Sequence, residues 1–71
     1  MHATVKKLRA LVKGVEGAWV RRWSDGQLWV GTKSHFTEDL RAIHQRISQS
    51  DSGFRVVGVA GPRSWLVEAN S

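Results

Sequence analysis

Cysteine is absent from the 71 residues of this chain. That excludes disulfide staples and thiolate metal sites, and it fits a reducing compartment. Acidic residues are scarce, six against eleven Lys and Arg, which leaves a formal charge of +5. No apolar run approaches the roughly 20 residues that a membrane helix needs. Residues 1–7 lack the apolar core of a signal peptide, so a cytoplasmic location and no membrane span are the expectations.

The residue patterns of enzymes are missing as well. His2, His35 and His44 are scattered, and without cysteine they form no metal-ligand spacing. Ser34, His35 and Asp39 are close in sequence, but adjacency does not define the geometry of a triad. Glu38 and Asp39 sit where a helix begins, and the helix dipole accounts for them. Two Gly-x-x-Gly stretches, Gly14 to Gly17 and Gly58 to Gly61, fall at a helix exit and in a strand, so neither is a phosphate-gripping loop between helices. No Gly-rich nucleotide loop occurs. The expectation is a non-enzymatic protein with no catalytic residue, metal or cofactor.

What remains is a single small domain, residues 1–71, with four tryptophans. A domain this size buries only about 60% of the surface of its unfolded chain. The tryptophans therefore either fill the core or mark a surface for a partner.

Three of them lie in one stretch, Ala18-Trp19-Val20-Arg21-Arg22-Trp23, then Ser24-Asp25-Gly26, then Gln27-Leu28-Trp29-Val30. Trp and Val suit a half-buried pleated surface, and Asp-Gly between two such runs signals a hairpin. A three-residue loop, with Gly26 in the left-handed bulge position, pairs Val20 with Val30 and Arg22 with Leu28. Trp19, Arg21, Trp23 and Trp29 then share the other face. A two-residue loop would slip the register by one and turn strand two over. The first arrangement is preferred because it gathers Val20, Leu28 and Val30 on one apolar face.

Around this hairpin, residues 4–13 read as a helix with Val5, Leu8, Leu11 and Val12 on one face and Lys6, Lys7, Arg9 and Lys13 over much of the rest. Thr37 is the expected N-cap of a second helix, with Leu40, Ile43 and Ile47 as its buried stripe. Residues 54–60 and 64–69 read as two more strands about the turn Gly61-Pro62-Arg63. The order α-β-β-α-β-β suggests a duplicated unit. Leu8-Arg9-Ala10-Leu11 matches Leu40-Arg41-Ala42-Ile43, and Gly17, Val20 and Trp29 match Gly53, Val56 and Trp65.

The expected fold is α+β: two αββ units forming a four-stranded antiparallel sheet with both helices on one face, a permuted ferredoxin-like layout. The uncovered face would carry Trp19, Arg21, Trp23 and Trp29, joined by Arg55 and Trp65 of the second hairpin. Bases stack on exposed indoles, and Arg and Lys neutralise phosphates. On this reading the chain binds single-stranded RNA or DNA. Trp19, Trp23 and Trp29 would stack, and Arg21, Arg22, Lys6, Lys7 and Lys13 would contact phosphates. The same aromatic face would equally serve a protein partner, including a second copy in a homodimer, because Trp and Arg are enriched at interface hot spots. In a third reading the tryptophans are core and the function lies elsewhere.

Overall fold

The computed structural model describes residues 2–23 and 26–70. Helix α1 (His2–Val12) leads into the hairpin β1 (Ala18–Arg22) and β2 (Gln27–Thr32). Helix α2 (Thr37–Ser48) then precedes β3 (Phe54–Gly61) and β4 (Ser64–Ala69). The four strands form one antiparallel sheet in the order β1-β2-β4-β3, so β1 and β3 are its edges. The architecture is α+β and consistent with a small ferredoxin-like fold.

The side-chain alternation of each strand decides what the helices cover. Val20, Leu28, Val30 and Val67 face α1 and α2 and pack on Leu8, Val12, Ile43 and Ile47. Phe54 closes the core at the β3 end, and Val15 closes it beneath the exit of α1. The first hairpin has the register of the three-residue loop: Val20 pairs with Val30 and Arg22 with Leu28. Gly26 has φ +80°, the left-handed geometry that a bulge of this kind requires. Ser24 and Asp25, the first two loop positions, lie outside the described residues.

Helix α2 begins differently from expectation. Thr37 is its first helical residue, and Phe36 occupies the cap with no side-chain bond of its own. The entry is held from Ser34 instead: its hydroxyl accepts from the Phe36 amide at 3.1 Å and donates to Asp39. Arg63 adds bonds to the carbonyls of Ser34 and Phe36, at 2.6 and 3.2 Å.

The two αββ units correspond in three dimensions, with equivalences that differ from those expected. Gly17 and Gly53 both take positive φ, +68° and +84°, immediately before an edge strand. Val20 and Val56 correspond in register, but Trp29 and Trp65 do not. Trp29 points away from the helices, whereas Trp65 lies on the helix side, paired with Val30 and bonded through its indole N–H to the Leu40 carbonyl at 3.1 Å. Burial aligns the helices as Leu8 with Ile43 and Val12 with Ile47, not through the Leu-Arg-Ala similarity. A register shift at Val57 inserts one extra residue into β3 at that point, so Arg21 and Arg22 correspond to Gly58 and Val59.

Of the glycines, Gly31 has the least room for a side chain. A Cβ there would stand 2.5 Å from the Arg63 carbonyl oxygen and 2.6 Å from Cζ2 of Trp19. The indole of Trp19 lies across the glycine with which it is paired, filling the space that a side chain would take. Gly31→Ala should therefore destabilise the domain by about 1–3 kcal/mol, the usual cost of overpacking. A urea melt monitored by circular dichroism would show the midpoint fall with the slope unchanged; an unaltered midpoint would mean that both Trp19 and the Arg63–Ser64 backbone give way freely.

Candidate nucleic-acid interface

The face of the sheet away from the helices is closed by a cluster of indoles. Trp29, near its middle, donates from its ring N–H to the Ser64 hydroxyl across the β2–β4 pair. Trp19 and Trp23 meet it edge to face, with ring centroids at 5.4 and 5.1 Å and interplanar angles of 80° and 84°. These geometries suit the quadrupoles of aromatic rings. Arg21, between Trp19 and Trp23 in sequence, holds its guanidinium 5.3 Å from the Trp19 ring and 6.0 Å from that of Trp29. Such cation–π contacts are worth about 0.5–1 kcal/mol when solvent-exposed.

The rings differ in availability. Trp19 and Trp29 are half-buried, covering Gly31 and bonding Ser64, while Trp23 stands 49% exposed at the end of β1. Trp65 is not on this face at all; its ring rests against His44 and the core. Arg55 is on it but already engaged. It forms an ion pair with Glu68 at 2.9 Å, and Glu68 also accepts from Gln27 at 2.9 Å. By register the Arg55–Glu68 pair occupies the place that Trp19 and Gly31 hold in the first unit.

The cations proposed from sequence divide between two sides. Arg21 shares the face of the indoles. Arg22 pairs with Leu28 and belongs to the helix side, exposed at the sheet end. Lys6, Lys7 and Lys13 ride on or beside α1, across the sheet from Trp29. The aromatic face and the basic helix are therefore not one continuous plane; they meet only round the free edge of β1.

Along that edge runs a groove made of two adjoining shallow depressions of about 600 and 540 Å³. One is lined by Lys13, Ala18 and Trp19, the other by Lys6, Arg21 and Arg22, and Arg9 and Val20 belong to both. Arg9, a residue not singled out from sequence, thus stands at the centre. Lys7 lines neither depression. The signal for Arg9 was present in the spacing: Lys6, Arg9 and Lys13 recur at three and four residues, one stripe along a helix.

No carboxylate lines the groove. The ion pair of Arg55 is the only one among the described residues, and two other arginines serve as backbone caps. Arg63 holds the entry to α2, and Arg46 donates to the carbonyls of Leu11 and Lys13, at 3.3 and 2.6 Å, to close α1. Lys6, Arg9, Lys13, Arg21 and Arg22 have no such carboxylate partner among the described residues. Those residues also contain no cluster of His, Cys, Asp or Glu suited to a metal, and no helix long and apolar enough to cross a membrane.

The Gln27 and Arg55 hydrogen bonds hold the Glu68 carboxyl below the ordinary glutamate value of 4.5. A depressed folded value means that Glu68 stabilises the fold fully above that pH and loses its contribution as pH falls through the lowered value. Glu68→Gln should therefore lower the neutral plateau by the small amount that the pairing contributes and flatten the acid limb, so that the two stability–pH profiles converge at low pH. An acid limb identical to that of the parent protein would show that the pairing adds nothing.

No protein-family model matches the chain, and no curated protein or solved structure matches it either.

Proposed function

We propose that this protein is a non-enzymatic binding module for single-stranded nucleic acid, seated at the β1 end of the sheet. One observation carries the reading: five cations without a carboxylate partner among the described residues border the free edge of β1, and the most exposed of the four indoles, Trp23, stands at its end. Unpaired Lys and Arg bring phosphates in by releasing counterions, which supplies affinity for any sequence. An exposed aromatic face adds about 1–3 kcal/mol for each base stacked on it. Trp19 and Trp29 are tied into the sheet, so they support Trp23 and Arg21, and the base platform is Trp23 itself.

The same edge would suit a protein partner through strand addition, since β1 presents unpaired backbone groups. Charge favours the polyanion. Arg21 and Arg22 on an edge strand are the kind of residue that discourages pairing with a like-charged copy.

Titration with a mixed-sequence single-stranded oligonucleotide at low salt should quench tryptophan fluorescence, and the fitted log affinity should fall linearly with log salt. Trp23→Ala should remove most of the quench and weaken binding by about 5- to 150-fold, the equivalent of one stacked base. A dimer in sedimentation that ignores the oligonucleotide would overturn the reading in favour of self-assembly.

A further inference from the structure

We infer that the bound strand lays its phosphate backbone in the groove between α1 and the outer edge of β1, over Arg9, with Lys6, Arg22 and Lys13 alongside. This rests on the single-stranded nucleic-acid reading and adds a path to it. The ligand follows the rim of the sheet and turns one base onto Trp23, instead of lying across the aromatic face.

The geometry supports a linear anion. Lys6 and Arg9 are separated by about 4.5 Å of helix rise, and Lys13 follows at the helix exit. They run beside a strand of five residues, about 17 Å long at the usual rise. The floor between them is Val20 with Val5 and Val12, apolar side chains with no carboxylate among the lining residues. A polymer with regularly spaced charges meets one cation after another along this track. A compact anion would meet only one or two.

The second αββ unit is an internal control. It builds the same helix-and-edge-strand arrangement, so whatever the fold requires should recur there. At the stations of Lys6, Arg9 and Lys13 it has Arg41, His44 and Ser48, and at those of Arg21 and Arg22 it has Gly58 and Val59. Five cations become one cation and one histidine. His44 packs on Trp65 and Val59 is 71% exposed, so the same helix-and-edge-strand arrangement is built here without the charges. The charge along β1 is therefore not a requirement of the architecture, and the groove accounts for it.

The test is fluorescence anisotropy of labelled oligodeoxythymidylate across a salt series, with the intact chain and the variants Arg9→Ala, Lys6→Ala and Arg41→Ala. Four phosphate contacts predict a log–log slope of about −3, from about −0.7 for each contact on a single strand. Arg9→Ala and Lys6→Ala should each make the slope shallower by about 0.7, while Arg41→Ala, at the equivalent station of the other unit, leaves it unchanged. All three residues are exposed, and circular dichroism checks that the variants fold. If the parent chain binds and Arg9→Ala keeps the full slope, the path is wrong while the nucleic-acid reading stands. If the parent chain does not bind at low salt, both fall. Displacement of the oligonucleotide by polyglutamate at equal charge concentration would also overturn the path, since it would make the groove a site for acidic peptide.

Discussion

Both helices pack on one face of the four-stranded sheet, and the way this domain closes the other face governs the rest of its surface. Trp29 stands near the middle of the uncovered face, anchored through Ser64 to the neighbouring hairpin and braced edge-on by Trp19 and Trp23. Trp19 in turn occupies the gap over Gly31. A 71-residue chain without disulfides has little stability to spare, and indoles bury more apolar area than any other side chain it could place there. The cluster is a second, thin core. It holds β1 in line with β2, keeps Arg21 over the rings, and leaves one ring, Trp23, at the strand end.

The two αββ units solve this problem in different ways. On the first, the cross-strand pair is an aromatic and a glycine; on the second, it is the ion pair of Arg55 and Glu68. Their edges differ as well. The β1 edge is short and crowded with cations, whereas β3 is longer, carries Val57 and Val59 to solvent, and is interrupted by two register shifts. Such irregularities twist an edge away from unwanted pairing, as charges do at the other edge. One backbone plan thus supports two edges of different chemistry, one lined by cations and the other carrying exposed valines.

Much of this was legible in the residues. Asp-Gly between two apolar runs, with Val20, Leu28 and Val30 needing a common face, was enough to choose the hairpin register and hence the side on which Trp19, Arg21 and Trp29 stand. The side of Trp65 was not legible. In Ser64-Trp65-Leu66-Val67 both parities are apolar, and the choice is made by a distant carbonyl, that of Leu40. The α2 cap was missed because Thr37 is a good cap by type, yet Ser34 and Arg63 arrive from positions that only the folded chain brings near. The Leu-Arg-Ala similarity misaligned the helices because identity of residues on a surface turn says less than the spacing of buried ones. The importance of Arg9 depended on where α1 lies relative to β1, which is a tertiary fact.

The proposed binding surface wraps the end of β1 and leaves the helix-side indole out. The indole N–H signals of the four tryptophans in a two-dimensional ¹H–¹⁵N spectrum, followed during titration with a short single-stranded oligonucleotide, test this most directly. The Trp23 signal should shift most, those of Trp19 and Trp29 by less, and that of Trp65, bonded to Leu40 beneath the sheet, should stay in place. A Trp65 shift as large as that of Trp23, or no movement of any signal under conditions where the strand binds, would contradict it.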